Sequence, residues 1–177
     1  MKKFLLLVLS AVGFSFPAFP QTEKGSKMIG GTMYLATSAH QGSGFLQFGL
    51  NPQLGFFVAD HFAVGPGLSF SAFSYGDQRG IGYGVSPFAR YSFGSSPARL
   101  FLSGGAGIGG NRTSSLDYVQ TYRTTHVRFG PGLTYFLNEF VGLDGVLTYD
   151  LNKYQGEPAS RALNLNVGVQ VFLPWQQ

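Results

Sequence analysis

Apolar side chains alternate with small or polar ones along most of this chain. The alternation is clearest in residues 126–137 and 141–152, two runs that are joined by the turn residues Asn138 and Glu139. Because successive side chains of a strand point to opposite faces of a sheet, each run predicts a strand and the two together predict a hairpin. Each run has about 11 residues or more, the length that a tilted strand needs to cross a bilayer.

The same pattern predicts eight strands in all. Their approximate bounds are 27–39, 45–57, 62–73, 81–93, 99–109, 126–137, 141–152 and 161–173. Short turns at 59–61, 94–98 and 138–139 alternate with generally longer links at 40–44, 76–80, 110–122 and 153–160. Bacterial outer-membrane barrels show this alternation of periplasmic turns and external loops, and eight is their smallest even strand number. The prediction is an all-β, eight-stranded, antiparallel up-and-down transmembrane β-barrel with both termini on the periplasmic side.

One face of the predicted strands carries no Asp, Glu, Lys or Arg, whereas the other carries four charged residues. These are Arg90, Arg128, Asp144 and Asp150. We assign the uncharged face to lipid, where an Arg or Lys at the midplane costs about 2–4 kcal/mol. The four charges then lie in the lumen, and because buried charges need partners, we expect arginine–aspartate pairs with a structural role. Arg128 and Asp150 are directly opposed in one possible register.

Small residues on the charged face indicate how the lumen is filled. The interior of an eight-stranded barrel is just wide enough to be filled by side chains. Six glycines would make room for Phe88, Phe136, Arg90 and Arg128; they are Gly49, Gly65, Gly84, Gly105, Gly132 and Gly168. The sequence therefore predicts a closed, packed lumen rather than a diffusion pore.

Four prolines fall on the lipid-facing column of the predicted strands, namely Pro52, Pro66, Pro87 and Pro131. Proline has no backbone N–H to donate to a ladder and is normally confined to edges or bulges. A closed barrel has no edge, so we expect bulges or strand ends at these positions.

Composition favours a membrane barrel over a soluble domain. Charged residues make up 11% of the chain, against an average of about 25% in soluble domains. No run after the N-terminus is apolar over about 18 residues, so no transmembrane helix is predicted. A soluble lipocalin-like carrier is also an eight-stranded barrel, and it would instead place the apolar face inside, around a ligand.

The N-terminus predicts export. Lys2 and Lys3 precede an apolar run from Phe4 to Phe16, the pattern of a secretory signal peptide. We take residues 1–20 as a signal peptide that is cleaved from the chain, and residues 21–177 as the barrel domain. The chain has no cysteine, which argues against a lipoprotein anchor and disulfides. Its basic residues are scattered, so no nucleic acid partner is expected.

Two segments resemble a known family. One is Pro52-x-x-Gly55-Phe56-Phe57-Val58-x-Asp60-x-Phe62-Ala63-Val64-Gly65, and the other is the last predicted strand. Both resemble the small OmpA/OmpX-like outer-membrane β-barrel family, and the resemblance covers nearly the whole mature chain. It implies an outer-membrane protein in contact with outer-membrane lipid and lipopolysaccharide. It also implies that the outer-membrane assembly machinery reads a signal in the last strand, formed by Asn166, Gly168, Val171 and Leu173.

Motifs that could bind a cofactor or metal are weak. Residues 105–110 match the dinucleotide-binding pattern G-x-G-x-x-G, but such a site needs a helix next, and no helical pattern follows. The three histidines, His40, His61 and His126, have no metal-ligand spacing. We therefore expect no cofactor and no metal.

An outer-membrane lipid-modifying enzyme is the catalytic alternative. A deacylase would need a Ser-His-acid set near the membrane surface. His126 with Ser114 or Ser115 and Asp117 is the candidate, and only proximity in sequence connects these residues. The usual His-x-Ser pattern is absent at His126. The sequence therefore favours a protein without catalytic residues.

The predicted external loops are rich in tyrosine and arginine. Tyrosine and arginine suit protein contacts, and arginine also suits the phosphates of lipopolysaccharide. An aromatic belt at the membrane interface with scattered loop charges is the alternative interpretation. The residues in question are Tyr75, Arg79, Arg112, Tyr118, Tyr122, Arg123, Tyr154 and Arg161.

Together these patterns predict a monomeric outer-membrane barrel with a packed lumen and no catalytic activity. Its role would be structural or surface-interactive, in envelope integrity, adhesion or defence. Three alternatives remain compatible with the sequence. They are a small, porin-like channel for solutes, a lipid A-modifying enzyme and a soluble lipocalin-like carrier.

Overall fold

A computed structural model describes residues 22–40, 43–115, 119–156 and 158–174. These residues form ten β-strands, which we number along the chain. The strands are β1 (Lys27–His40), β2 (Ser43–Ala59), β3 (Phe62–Gly65), β4 (Leu68–Tyr75), β5 (Gln78–Val85), β6 (Phe88–Phe93), β7 (Ala98–Ser114), β8 (Val119–Phe136), β9 (Val141–Tyr154) and β10 (Ser160–Leu173). The described ranges contain no helix long and apolar enough to span a membrane. The predicted signal peptide lies outside the described residues.

Antiparallel pairing joins the strands into one sheet that closes on itself. β1 pairs with β2 on one side and with β10 on the other. From β10 the ladder continues through β9 and β8 to β7. β7 pairs with both β5 and β6, which pair in turn with β4 and β3, and these two pair with β2. The predicted all-β, antiparallel barrel is confirmed.

The number of strands differs from the prediction of eight. The predicted strands 62–73 and 81–93 are each divided in two, after Gly65 and after Val85. Pro66 and Pro87 lie at these breaks, where proline leaves the ladder without a donor. Gly67 and Ser86 still exchange two backbone hydrogen bonds of 2.9 and 2.8 Å. The register therefore continues across the break, and ten segments occupy eight positions around the barrel.

Pro52 and Pro131 lie inside strands, and each coincides with a gap in one ladder. The ladder from β2 toward β3 and β4 is interrupted between Leu50 and Phe56. The pairing of β8 with β9 skips Gly130 and Pro131. The expected strand ends thus occur at two of the four prolines, and the other two are accommodated by gaps in one ladder.

The hairpin of β7 and β8 is longer than predicted. The sequence pattern placed a link over residues 110–122, whereas the two strands pair continuously as far as Ser114 with Val119. Polar side chains hold this extension together, since Asn111 Nδ2 donates to Thr124 Oγ1 at 2.6 Å. The predicted strands were too short because they were recognised by their apolar residues, and the residues of this extension are mostly polar.

The barrel has two distinct ends. We call the end that carries residues 22–26 and the short connections at 60–61, 94–97 and 137–140 the turn end, and the opposite end the loop end. The seam between β1 and β10 is paired only near the turn end, from Lys27 with Leu173 to Met33 with Val167. Toward the loop end β1 stays paired with β2, and β10 with β9, but the two strands are no longer joined.

The apolar column of each strand lies on the outside of the barrel. Large apolar side chains of every long strand are exposed there, up to 71% for Leu165. The inward face carries the small and polar residues together with a few buried aromatic rings. This arrangement is the reverse of a soluble barrel and matches a protein that is surrounded by lipid.

Candidate functional site in the barrel lumen and at its loop end

An apolar cluster fills the lumen at the turn end. Its buried members come from five strands, and Phe88 packs against them; they are Met28, Phe57, Ala63, Phe136 and Phe172. Met28 and Phe172 are completely buried, and the Phe172 ring lies 4.9 Å from that of Phe136 and 6.3 Å from that of Phe57. Phe136 faces the lumen as the sequence predicted, whereas the alternation gave no indication of this cluster.

The segment before β1 folds across the turn end. Thr22 is buried, its Oγ1 lies 2.8 Å from His61 Nδ1, and its carbonyl accepts a 2.6 Å hydrogen bond from the His61 backbone N–H. Arg99 Nη1 donates to the same Thr22 hydroxyl at 3.1 Å, and its guanidinium stacks on the Phe136 ring at 4.6 Å. The Gly25 N–H donates to Phe57 O at 2.8 Å. Residues 22–26 thus cover the apolar cluster.

A buried ion pair forms the next layer of the lumen. Arg90 Nη1 lies 2.7 Å from Asp144 Oδ2, and the two side chains are only 3% and 1% exposed. Thr134 Oγ1 donates to Asp144 Oδ1 at 2.7 Å and accepts from Arg90 Nη2. The Phe101 ring covers the guanidinium at 3.5 Å from its carbon to the ring centroid. Four strands are thereby tied together across the lumen.

A second pair lies closer to the loop end. Arg128 and Asp150 are directly opposed on β8 and β9, and Arg128 Nε lies 2.7 Å from Asp150 Oδ1. Asn164 Nδ2 donates to the other carboxylate oxygen at 2.6 Å, and Arg128 Nη1 donates to Asn51 Oδ1 at 3.1 Å. The Arg128 side chain is 32% exposed, so this pair is far better hydrated than the first. The four lumen charges therefore form two separate pairs rather than one cluster.

Cross-strand pairs of an aromatic residue and a glycine fill much of the remaining lumen. Tyr34 is directly opposed to Gly49, Phe73 to Gly80, and Phe101 to Gly132. A Cβ at these glycines would lie 2.1, 2.1 and 2.2 Å from the facing ring. Lumen glycines therefore do make room for large side chains. The rings at Gly49 and Gly132 are, however, those of Tyr34 and Phe101, and neither residue is among the four side chains that the sequence suggested.

Two cavities are prominent in the lumen that the described residues form. One of about 90 Å³ lies between the two ion pairs and is lined by Arg90, Phe101, Arg128 and Asp144, among others. The other, of about 350 Å³, is the polar vestibule at the loop end, lined by Tyr34, Arg128, Asp150 and Asn164. The lumen thus narrows from a polar vestibule at the loop end to an apolar cluster at the turn end.

The predicted assembly signal lies on β10. Asn166 and Gly168 face the lumen, whereas Val171 and Leu173 face outward and are 37% and 41% exposed. Asn166 Nδ2 donates to Thr148 Oγ1 at 3.1 Å. At Gly168 a Cβ would lie 2.2 Å from Gly31 O, so β1 and β10 can approach closely there. These contacts give Asn166 and Gly168 a role in the folded barrel, and recognition by the assembly machinery stays a prediction.

The residues predicted to lie in external loops are mostly at the loop-end termini of strands. Seven of them belong to strands. Tyr75 lies on β4, Arg79 on β5, Arg112 on β7, Tyr122 and Arg123 on β8, Tyr154 on β9 and Arg161 on β10. The location in loops was therefore wrong, because the strands extend further than their apolar columns. Tyr118 lies outside the described residues.

The motifs considered for chemistry are not assembled into sites. Residues 105–110 lie inside β7 and pair with β8, so no helix N-terminus follows them. His126 faces the lumen opposite Gly107, whereas Ser114 lies on the outer face about 23 Å further along β7. Asp117 lies outside the described residues. Among the residues that the structure describes, no group of three or more His, Cys, Asp or Glu could hold a metal ion.

A closed antiparallel sheet with an apolar outer face and a polar, plugged interior defines an integral membrane β-barrel. The chain belongs to the outer membrane protein beta-barrel domain family, whose model matches residues 5–170. The resemblance predicted from the sequence is thereby confirmed. Among curated proteins, none matches the sequence.

Solved outer-membrane barrels share this fold. The N-terminal β-barrel domain of Pseudomonas aeruginosa OprF is 18% identical over 85% of this chain and 98% of its own, with a TM-score of 0.58. Neisserial surface protein A (NspA) is 16% identical over 84% and 97%, with a TM-score of 0.61. Ail, the attachment invasion locus protein of Yersinia pestis, is 14% identical over 85% and 99%, with a TM-score of 0.54. At these identities the similarity establishes the fold alone.

Proposed function

We propose that this protein is a sealed outer-membrane barrel with a structural or surface-interaction role, and that it neither conducts solutes nor catalyses a reaction. The observation that carries the proposal is the order of layers in the lumen. Behind the vestibule stand the hydrated pair Arg128–Asp150, the buried pair Arg90–Asp144 and the apolar cluster. A solute entering from the loop end would have to displace all three.

The orientation follows from the hairpins, since the connections themselves are of similar length at the two ends. At the loop end the strands extend beyond their apolar columns, and β7 and β8 pair as far as Ser114 with Val119. The longer projections face outward in barrels of this class, so the turn end is the periplasmic end. The strap of residues 22–26 then follows directly on the cleaved signal peptide proposed for residues 1–20. In this orientation the polar vestibule and the exposed strand termini of the loop end are presented outside the cell.

A surface role is supported by what the loop end offers. Its arginine and tyrosine residues stand on paired strands, which hold their backbone in place, and the described loops are short. Aromatic and arginine side chains are the residues that dominate binding energy at protein surfaces. Envelope integrity, adhesion and defence all remain compatible with such a surface.

Conductance separates this proposal from a small channel. The barrel, refolded in detergent and shown to be folded by its shifted mobility on an unheated SDS gel, is added to planar lipid bilayers. We expect no discrete conductance steps at protein amounts where the gel shows full folding. Regular steps that disappear after heat denaturation would overturn the sealed-lumen assignment. A change in lipid A mass after expression in a heterologous outer membrane would overturn the non-enzymatic one.

A further inference from the structure

A band of positive charge surrounds part of the barrel at the loop end. It is formed by one outward-facing, exposed cation on each of five strands that are neighbours in the sheet: Arg79, Arg112, Arg123, Lys153 and Arg161 on β5, β7, β8, β9 and β10. None of the five forms a salt bridge with a described residue. Asp77 lies two residues from Arg79, and Asp150, which faces the lumen, lines the vestibule together with Arg161. Asp117 and Glu157 lie outside the described residues.

The register places neighbouring cations side by side. Arg79 pairs with Ser114 and Ile81 with Arg112, so the two arginines are diagonal neighbours on the outer face. Arg112 and Arg123 stand in the same relation across β7 and β8, where Gly110 pairs with Arg123. Diagonal side chains on one face of a sheet are within reach of each other when they are long. Three guanidinium groups can therefore converge on one anionic headgroup.

An apolar groove lies directly below the first two arginines. It has a volume of about 550 Å³, and its lining includes Leu46, Phe48, Ile81, Arg79 and Arg112. The register explains its shape. Directly opposed residues of β2, β4, β5 and β7 form two rows across the outer face. One row is Leu46–Ser74–Arg79–Ser114, and the next is Phe48–Ala72–Ile81–Arg112. The residues that follow Leu46 and Phe48 on β4 are the small Ser74 and Ala72. Small residues thus form the floor between Leu46 and Phe48 on one side and the arginines on the other.

A second groove, of about 670 Å³, lies beside the first below Arg123. Its walls include Phe70, Tyr83 and Ile108. The Tyr83 ring lies over Gly110, where a Cβ would be 2.9 Å from it. Each groove therefore combines an apolar channel that runs into the membrane zone with a guanidinium at its upper rim, which is the shape of a phosphorylated lipid.

We propose that Arg79, Arg112 and Arg123, with the two grooves below them, bind a phosphorylated, multiply acylated glycolipid of the outer leaflet. Arginine matches phosphate through paired N–H donors, and the grooves receive acyl chains of the same molecule. Two phosphates on one headgroup fit three arginines along the band better than a single phosphodiester does. The proposal rests on the proposed function for its orientation, since the loop end must face the outer leaflet.

The test is binding of bisphosphorylated lipid A to the folded barrel in detergent, measured by native mass spectrometry. The triple variant R79Q/R112Q/R123Q removes the charges, and A72L fills the floor of the first groove. The matched control is K27Q, which neutralises an exposed, outward-facing cation at the turn end. We expect the triple variant to lose about tenfold or more in affinity, A72L to lose several-fold, and K27Q to bind as the unmodified protein does.

Three outcomes would overturn the proposal. They are undiminished binding by the triple variant, equal binding of lipid A whose phosphates have been removed, and equal binding of cardiolipin, a phosphorylated lipid without sugars. Orientation is tested separately by labelling the cysteine of S114C on intact cells with an impermeant reagent. Labelling absent from intact cells but present after lysis refutes the orientation. If the unmodified protein fails to bind lipid A but shows a normal gel shift and surface labelling, only the lipid site is refuted.

Discussion

Replacing Asp144 by asparagine should be the most damaging single charge change in the lumen. Asparagine keeps the shape of the side chain, so the substitution changes charge more than packing. Arg90 would then stand without a counter-ion in a position where its side chain is 3% exposed. The contacts that remain to it are the Thr134 hydroxyl, the Phe101 ring and the neutral amide at position 144.

The size of the effect follows from the burial of the pair. Removing one partner of a buried ion pair costs about 3–5 kcal/mol, because an uncompensated charge stays behind. Asp150 provides the comparison, since its partner Arg128 is 32% exposed and also bonds to Asn51. We expect D150N to cost about 1–2 kcal/mol, between the values of exposed and buried pairs. The double variant R90M/D144N leaves this layer of the lumen without a charge and should recover most of the loss.

The measurement is urea unfolding of the barrel in phospholipid vesicles, followed by circular dichroism and by mobility on unheated SDS gels. The expected order of stability is unmodified protein, then D150N, then D144N, with R90M/D144N above D144N. A D144N variant that unfolds within about 0.5 kcal/mol of the unmodified protein would show that water reaches Arg90. A D150N variant that is less stable than D144N would refute the assignment of the dry layer to the turn-end half of the lumen.

Three further predictions concern packing, the strap and the seam. G132A should destabilise the barrel by about 1–3 kcal/mol in the same urea assay, because its Cβ meets the Phe101 ring; G145A, whose Cβ meets nothing within 4 Å, is the control and should be neutral. R99M removes the donor to Thr22 and should speed tryptic cleavage at Lys24 in the folded barrel, whereas equal rates in the two proteins would deny Arg99 that role. In hydrogen exchange, the amides of residues 160–166 that point toward β1 should exchange faster than the corresponding amides of residues 167–173, because only the latter segment pairs with β1. Uniform protection along β10 would show that the seam is closed along its whole length.

Alternation along the chain was enough to predict the architecture, because the two faces of each strand meet different solvents. Val127, Phe129 and Leu133 face lipid, and Arg128 between them faces the lumen, so the column without charge is readable from one sequence. The pairing of Arg128 with Asp150 was accessible for the same reason, since a short connection restricts the register of a hairpin. The sequence pattern therefore predicts contacts between residues that are close in the chain, such as those within one hairpin.

Contacts between distant strands were not predictable in this way. The sequence predicted that Arg90 and Arg128 pair with Asp144 and Asp150, but it did not show that Arg90 meets Asp144 across 54 positions. It gave no indication that Arg99 reaches Thr22 across 77. Which ring fills which glycine is decided by the register between strands, and that register depends on breaks such as those at Pro66 and Pro87. Alternation is periodic and therefore cannot distinguish registers that differ by two residues. The Tyr34–Gly49 pair could be recognised only after the register of β1 with β2 was known.

The arginines at the loop end were named from the sequence, but they were placed in loops rather than on strands. Each predicted strand ends at or near its last outward-facing apolar residue. The strand itself continues, and every second residue still faces outward. Arg79 stands two residues before Ile81, Arg112 four residues after Ile108, and Arg123 four residues before Val127. Each therefore shares the lipid-facing side of its strand and stands beyond the apolar residues of that column. A charge that is excluded from the bilayer core is favourable at its rim, where anionic headgroups replace acyl chains. On β5, β7 and β8 the uncharged, lipid-facing column therefore ends in an arginine at the membrane rim, and guanidinium groups are well suited to bind a lipid phosphate.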